Sequence, residues 1–143
     1  MTAVGSSQDT AGYSGTPLWK KLGIKPGARV TLIKEPLLFE ELLEGMPDDV
    51  ELRRTLRGSA DCVVFFTTSR RELERRLEAL RRPLEPDGML WIAWPKLSSG
   101  VATDMTENAI REIALPTGLV DTKVCAIDET WSGLKLVVRR ELR

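Results

Sequence analysis

The sequence predicts an α/β fold, a three-layer sandwich in which helices cover both faces of a mostly parallel sheet that ends in an antiparallel hairpin. Segments rich in β-branched residues alternate with segments whose apolar residues recur at helical spacing. The strongest strand, residues 61–67, has a continuous apolar interior, as expected for a strand covered on both faces. Two final strands, 119–128 and 134–140, are joined by the short segment 129–133, which predicts the hairpin.

The first predicted elements are a short helix, a strand, a helical stripe and a weak strand. Thr16 is the expected N-cap of the opening helix, with Pro17 at its first position. Residues 29–33 are β-branched and apolar, which is typical of a strand. Residues 37–44 place apolar side chains at helical spacing, and residues 50–52 form the weak second strand.

Two further helices are predicted from their caps. Ser69 and Glu72 have the spacing of a capping box, which predicts a helix start. Leucines recur at helical spacing along that helix. Residues 89–94 form the next strand, and Thr103 is the expected N-cap of a helix that runs to Leu115. The resulting order is β-α-β-β-α-β-α-β-β after the short opening helix.

Length and composition exclude several classes of function. The 143 residues suit one domain, which we expect over residues 16–143 after a flexible tail, residues 1–15. Twenty-one basic and 21 acidic residues give zero net charge, so nonspecific binding to nucleic acid or to a membrane is not expected. The absence of histidine excludes Ser-His-Asp and Cys-His catalysis within this chain.

The two cysteines, Cys62 and Cys125, lie in apolar runs and are expected to be inert core thiols rather than a reactive or bridged pair. With so few soft ligands, we expect no zinc site. No apolar stretch approaches the ~18 residues of a membrane span, and residues 1–15 lack the features of a signal peptide. We therefore expect a cytoplasmic protein with no membrane association.

The helix after Ser69 is rich in arginine. Its charged residues are Arg70, Arg71, Glu72, Glu74, Arg75, Arg76, Glu78, Arg81 and Arg82. Interleaved glutamates favour a solvated helix face with i,i+4 ion pairs. The alternative is a phosphate-binding surface, and nucleic-acid binding through this helix is not expected.

Two local patterns resemble landmarks of the Rossmann-like S-adenosylmethionine methyltransferases. Residues 25–30, KPGARV, resemble the approach to the first strand of that fold, and residues 84–90, LEPDGML, resemble the entry to its later central strand. The resemblance implies a methyltransferase-like sheet, here shortened by one α/β unit. It also implies a glycine-rich turn after the first strand, whereas residues 33–39 contain no glycine. Glu51 is the one nearby acid for a ribose. We therefore expect no cofactor, and no S-adenosylmethionine bound in the usual way.

The closer resemblance is to a family of short bacterial proteins known only as a domain of unknown function, and it extends from Tyr13 to Arg140. The motifs that carry it are YSGTPL at 13–18, LGIKPG at 22–27, WPK at 94–96, SGVATD at 99–104 and DETWSGLK at 128–135. This resemblance implies no activity.

A ligand site in such a sheet is expected at the carboxyl ends of the strands. The candidate ligand-binding residues there are Thr67, Ser69, Arg70, Lys96, Ser98, Ser99, Gly100, Thr103, Asp104, Glu129 and Trp131. Helix N-termini at Ser69 and Thr103, together with Arg70 and Lys96, have the chemistry to hold a small anion or a phosphate. The alternative is that these residues are ordinary caps and turns, with Trp131 packed on the hairpin.

Two classes of function follow. The first is a non-catalytic binding module for a protein partner or a small anionic ligand, which is the function we expect. The second is a divergent small-molecule transferase or methyltransferase-like enzyme that uses Lys96 and Asp104 in a pocket at the carboxyl ends of the strands. No catalytic residue is assigned. A homo-oligomer formed through the hairpin edge is left open.

Overall fold

The structure is a computed structural model that describes residues 15–143, so all of the predicted tail except Gly15 lies outside the described residues. Its helices are α1 (Leu18–Lys21), α2 (Arg70–Arg81) and α3 (Glu107–Ala114). Its strands are β1 (Arg29–Ile33), β2 (Glu51–Arg53), β3 (Ala60–Phe66), β4 (Leu84–Pro95), β5 (Leu119–Ala126) and β6 (Trp131–Val138). Short 3₁₀ turns cover Phe39–Leu43, Leu97–Ser99, Leu115–Thr117 and Arg140–Leu142.

The six strands form one sheet in the order β2-β1-β3-β4-β6-β5. Strands β1, β2, β3 and β4 are parallel, whereas β6 is antiparallel to both of its neighbours. The predicted α/β class, the mostly parallel sheet and the closing hairpin are confirmed. The hairpin does not simply extend the sheet, because β6 lies between β4 and β5, and β5 therefore forms the edge and runs in the direction of the parallel strands.

Each face of the sheet has its own apolar core. On one face, α2 and α3 contribute Leu73, Leu77 and Ile110 to a cluster over the strands. On the other face, the cluster includes Leu22 after α1 and Phe39 of the first 3₁₀ turn. Trp91 belongs to the second cluster and Trp94 to the first, which confirms that they face opposite sides of β4. The indole Nε1 of Trp91 donates a hydrogen bond of 2.9 Å to the Leu22 carbonyl and so anchors the end of α1.

Two elements in the first third of the chain differ from their predictions: the cap of α1 and the segment 37–44. Pro17 rather than Thr16 is the N-cap of α1, and its carbonyl accepts hydrogen bonds from Lys20 N and Lys21 N, both at 3.1 Å. The helical stripe predicted over 37–44 is instead the 3₁₀ turn Phe39–Leu43. Leu38 adopts a left-handed conformation with φ of 68°, which prevents an α-helix from starting before Phe39.

Helix α3 starts later than predicted. Its N-cap is Thr106, whose hydroxyl accepts a hydrogen bond of 2.9 Å from Ala109 N. The hydroxyl of Thr103 instead donates to the Thr68 carbonyl at 2.6 Å. Thr103 therefore joins two loops, and it does not cap a helix.

Residues 86–88, Pro-Asp-Gly, would suit a turn, but they form an irregularity inside β4. The register with β3 shifts between Ala60↔Leu84 and Cys62↔Met89, so the residues between Leu84 and Met89 bulge out of the ladder. Gly88 is required there because a Cβ at this position would lie 3.1 Å from the Glu85 carbonyl oxygen. Glycine at this position therefore serves the bulge rather than a turn.

Both thiols are free and buried, as predicted. Burial raises the pKa of Cys62 to about 12 and also raises the pKa of Cys125. No helix in residues 15–143 combines the length and the apolar character that crossing a bilayer requires.

Candidate functional site

The carboxyl ends of β1, β3 and β4 and the tip of the β5–β6 hairpin lie along one edge of the sheet, which we call the carboxyl edge. The backbone N–H of Lys96 donates to the Thr130 carbonyl at 2.7 Å, so the loop after β4 contacts the hairpin tip. The hydroxyl of Thr103 and the N–H of Asp104 both donate to the Thr68 carbonyl, at 2.6 and 3.3 Å. The same loop therefore also contacts the end of β3, and the predicted residues share one edge.

The N-terminus of α2 is already occupied by groups of the chain itself. The hydroxyl of Ser69 accepts from Glu72 N at 3.1 Å, which is the expected cap. The capping box is incomplete, however, because Ser69 N donates to the Thr67 hydroxyl rather than to Glu72. A carboxylate oxygen of Asp104 accepts from Arg70 N at 2.8 Å. Asp104 therefore holds the position that an external anion would take at this helix end.

The two basic side chains expected beside an anion have different surroundings. The guanidinium of Arg70 forms an ion pair of 3.0 Å with Glu112 of α3 and so joins the two helices. The ammonium of Lys96 makes no hydrogen bond or ion pair with any residue in the described range 15–143. The second helix N-terminus is at Thr106 rather than Thr103, so the predicted pair of anion-binding helix ends is wrong in its second member.

A partly buried carboxylate, that of Glu72, bridges the crevice between β1 and β3. The chain leaves β1 toward β2 on one side, and β3 and β4 lie on the other, so this is the point where open α/β sheets bind ligands. Glu72 of α2 accepts hydrogen bonds there from the Thr67 hydroxyl at 2.6 Å and from the Lys34 ammonium at 2.7 Å. Lys34 directly follows β1, and Thr67 directly follows β3. The two strand ends are therefore joined across the crevice by one side chain.

This network keeps Glu72 ionised. Burial raises the pKa of Glu72, but the hydrogen bonds from Lys34 and Thr67 and the nearby Arg76 outweigh that effect, and its pKa lies below the usual value. The Glu72 side chain is 14% exposed, whereas Lys34 is 51% exposed, so the carboxylate is the buried member of the pair.

The loop after β1 stands where the related fold has its glycine-rich turn. Lys34 and Leu38 both have positive φ, 62° and 68°, which is uncommon for residues with a side chain. Glu35 in this loop pairs with Arg54 at 2.7 Å and so ties the loop to the segment after β2. Leu37, at the tip, is 92% exposed. The apolar stripe predicted over 37–44 thus buries only part of its side chains and leaves leucines in solvent.

The loop after β4 is a 3₁₀ turn stabilised by its own hydroxyl. The Ser99 hydroxyl donates to the Lys96 carbonyl at 2.7 Å and accepts from Val101 N at 3.2 Å. Gly100 has φ of 76°, a conformation that favours glycine. Leu97 is 98% exposed, and Ser98 beside it is exposed as well. Ser99 and Gly100 therefore shape the turn, and the turn presents Leu97 to solvent.

Trp131 packs under the edge rather than projecting from it. Its ring contacts Phe66 edge-on with centroids 5.2 Å apart, and Phe66 contacts Phe39 in the same manner at 4.9 Å. The turn before it is closed by Asp128, whose carboxylate accepts from Thr130 N and Trp131 N. The neighbouring hairpin residue Glu129 is exposed.

Glu51, the acid considered for a ribose, lies at the wrong end of its strand. It is the first residue of β2 and stands opposite Arg29 at the start of β1, far from the carboxyl edge. It pairs with Arg53 at 3.1 Å.

Two cavities of the described residues lie beside the sheet, and the smaller one reaches the carboxyl edge at Arg70. One of about 360 Å³ lies between α2 and α3, and one of about 670 Å³ lies at the opposite, amino edge of the sheet. Among residues 15–143, no three acidic or thiol side chains are grouped closely enough to hold a metal ion.

Sequence reasoning missed the groups that matter most at this edge. Glu72 has the spacing of a capping residue, and only the fold brings it between Lys34 and Thr67. Leu37 and Leu97 lie in the loops after β1 and β4, and leucines in such loops of a parallel sheet are a detectable signal of an exposed apolar surface.

Solved structures of methyltransferases share this fold. A SAM-dependent methyltransferase from Aquifex aeolicus aligns with a TM-score of 0.59 at 16% identity, covering 85% of this chain and 88% of that chain. The N-methyltransferase NodS from Bradyrhizobium japonicum WM9 aligns with a TM-score of 0.57 at 14% identity, covering 85% and 92%. A ribosomal protein L11 methylase from Lactobacillus delbrueckii subsp. bulgaricus aligns with a TM-score of 0.54 at 15% identity, covering 85% and 75%. The fold is therefore Rossmann-like and methyltransferase-like.

No curated protein matches the sequence significantly. Residues 40–140 match the model of a family described as a protein of unknown function, DUF3052. The match covers more than two thirds of the chain and includes β2 to β6, with the carboxyl ends of β3 and β4 and the hairpin, whereas β1 and the loop after it lie before the matched residues. The chain belongs to the DUF3052 family of proteins of unknown function.

Proposed function

We propose that this chain is a non-catalytic binding module that has a methyltransferase-like sheet without a cofactor site and engages a protein partner through its carboxyl edge. The observation that carries the proposal is the closed crevice between β1 and β3. Glu72 spans it and accepts hydrogen bonds from the residues that follow the two strands, from Lys34 at 2.7 Å and from Thr67 at 2.6 Å.

S-adenosylmethionine does not fit this edge. The related fold needs glycine after its first strand so that the backbone can approach the cofactor, and here every residue from 33 to 39 carries a side chain. Glu51 lies at the far end of β2 from the edge. A cofactor would have to displace the ion pair of Lys34 and Glu72, and we derive no reaction step through it.

Three leucines are exposed on the loops above the crevice. Leu37 and Leu38 follow β1 and are 92% and 62% exposed, and Leu97 follows β4 and is 98% exposed. Only β3 separates β1 from β4, so their ends are roughly 10 Å apart at ordinary strand spacing. Lys96 adds an ammonium with no ion pair to residues 15–143. The occupant that suits this surface is a protein with apolar side chains and one carboxylate opposite Lys96.

A small anion at the same edge is less well supported. Asp104 occupies the N-terminus of α2, and the guanidinium of Arg70 is paired with Glu112. An anion at the N-terminus of α2 would therefore meet the carboxylate of Asp104.

The absence of a cofactor site is tested by thermal unfolding of the purified chain with S-adenosylmethionine and with its demethylated product. A ligand that binds only the native state raises Tm with its concentration above Kd. We expect no shift with either compound. A shift that grows with S-adenosylmethionine concentration would contradict the proposal.

The docking surface is tested with Leu97→Ser and the matched control Leu142→Ser, since Leu142 is 55% exposed in the turn Arg140–Leu142. We expect a partner protein to co-purify with wild type and with Leu142→Ser but not with Leu97→Ser. The same partner should bind the purified wild-type chain in a titration. Equal retention by both variants would refute the docking surface. Self-association of wild type that Leu97→Ser abolishes would make the occupant a second copy instead.

The second candidate function is a divergent small-molecule transferase or methyltransferase. It is favoured by the strand plan shared with the Aquifex aeolicus methyltransferase. A Tm shift with S-adenosylmethionine would make it the leading function.

We further propose that residues 16–143 fold as a single domain and act in a bacterial cytoplasm, without nucleic acid as a partner. Free thiols at Cys62 and Cys125 suit a reducing compartment. Zero net charge supports the exclusion of nucleic acid.

A further inference from the structure

The larger of the two cavities is a groove at the amino edge of the sheet, opposite the edge where this fold ordinarily binds ligands. Its volume of about 670 Å³ lies within the range of small-molecule sites. Met89, Lys135 and Val137 form its floor on neighbouring strands β4 and β6. The segment from Lys25 to Ala28 before β1 contributes to its wall.

The groove exists because the second face of the sheet is only partly covered. Helix α1 has only four residues. Together with the turn Phe39–Leu43, it packs over the cluster that contains Trp91 and Leu22. Two residues in the amino-edge half of β6, Lys135 and Val137, line the groove. Lys135 and Val137 alternate with Leu134 and Leu136, which belong to the opposite core, so they face the groove, with Lys135 partly exposed and Val137 buried in its floor.

Lys135 is the unusual member of the floor. It lies on an interior strand between β4 and β5 and is only partly exposed. Within residues 15–143 its ammonium makes no hydrogen bond or ion pair. Its register partner in β4 is Trp91, whose partner in β3 is Val64, so it lies between strands rather than at an edge of the sheet. A partly buried charge without a partner is costly, and an anion in the groove would offset that cost.

The neighbouring Lys123 shows the ordinary arrangement. It stands opposite Lys135 in the β5–β6 register, is exposed, and donates to the Lys21 carbonyl at 3.1 Å. It does not line the groove, although its charge is the same. Lys123 is therefore a matched control for Lys135.

The carboxylates of the groove do not neutralise Lys135. Asp61 is held by Arg29, which donates to it from Nε and from another guanidinium nitrogen, both at 3.2 Å, and from its backbone N–H at 2.8 Å. Asp87 is exposed in the bulge of β4. Lys25 and Arg143 add two further cationic side chains to the lining.

We propose that this groove binds a small organic anion, whose charged group contacts the Lys135 ammonium and whose apolar body lies on Met89 and Val137. The site is separate from the carboxyl edge and does not depend on the docking surface proposed there.

The test is an amide chemical-shift titration of the full chain with sodium benzoate at constant ionic strength, with benzamide as the uncharged analogue and inorganic phosphate as the anion without an apolar body. We expect benzoate to shift the amides of Gly88, Met89, Thr122 and Lys135 in a saturable manner, and benzamide and phosphate to bind more weakly. Absence of saturable shifts at these amides, or equal binding of benzamide, would overturn the proposal. If phosphate bound there more tightly than benzoate, the proposed contact of an apolar body with Met89 and Val137 would be wrong.

Lys135→Met keeps the length of the side chain and removes its charge. We expect it to weaken benzoate by about tenfold, the factor that loss of one charge-assisted hydrogen bond produces, while Lys123→Met leaves binding unchanged. Lys135→Arg keeps the charge and is expected to retain binding if Lys135→Met unfolds the chain. Equal weakening by the two methionine variants would show a general charge effect and refute the site.

Discussion

Removing the charge at Glu72 should destabilise the fold much more than removing any exposed charge of α2. The buried hydroxyl of Thr67 donates to this carboxylate at 2.6 Å, which contributes about 1.5–2 kcal/mol as a charge-assisted bond. The pair with the half-exposed Lys34 adds only about 0.5–1 kcal/mol because solvent screens it. Glu72→Ala should therefore cost about 2–3 kcal/mol, which lowers Tm by roughly 5–10 °C.

The effect has a defined pH dependence. Because the pKa of Glu72 in the folded state is depressed, its contribution is fully present above the ordinary glutamate pKa of about 4.3 and is lost as pH falls through the lower folded pKa. The stability difference between wild type and Glu72→Gln should therefore be present at pH 7 and close as pH falls below about 4.

The assay is chemical unfolding of wild type, Glu72→Gln and Glu74→Gln across this pH range. Glu74 lies on the same helix, is exposed, and should change stability by less than about 0.5 kcal/mol. Equal stability of the two glutamine variants at pH 7 would refute the claim that Glu72 holds the crevice closed.

Three other substitutions or treatments test the remaining contacts. Asp104→Ala removes the carboxylate that accepts from Arg70 N and should cost about 1 kcal/mol by denaturant unfolding, with Asp104→Asn recovering most of it; no loss would mean that this cap is dispensable. Trp91→Phe leaves the Leu22 carbonyl without its 2.9 Å donor and should cost about 1–3 kcal/mol and speed amide exchange in α1, so unchanged exchange there would contradict the anchoring role. Iodoacetamide at pH 8 should label Cys62 only as fast as the chain unfolds, because burial raises its pKa to about 12, and rapid labelling of native protein would contradict that burial.

The sequence predicts the strands of this protein better than its helix starts. Residues 61–67 and 89–94 are apolar enough to be assigned as buried strands; β3 contains the first segment except for its last residue, and β4 contains all of the second. The start of α3 was misplaced because Thr103 and Thr106 are both good caps. The choice between them is made by the carbonyl of Thr68, a tertiary partner 35 residues away.

For the candidate site, the sequence likewise predicts where the residues lie but not which groups they contact. Its residues could be assigned to one edge because the carboxyl ends of parallel strands meet there. The contacts of these residues could not be predicted from the sequence, because they depend on tertiary structure. Asp104 accepts from the N-terminus of another helix, α2, and Glu72 accepts from Thr67 instead of from the backbone of Ser69. The insertion of β6 between β4 and β5 could not be predicted either. The apolar and turn residues of this segment define a hairpin, but they do not define which of its strands pairs with β4.

That insertion governs how the chain can acquire its structure. Strand β6 comes last along the sequence, yet it pairs with β4 on one side and with β5 on the other. Until it docks, β5 has no partner, and β4 presents an open edge that includes Trp91 and Ile92. Pairs such as Leu90 with Leu136 close long loops, so this step is slow relative to local helix formation. During synthesis the edge of β4 therefore stays unpaired until β6 has been made, and an unpaired strand edge is a template on which another chain can pair.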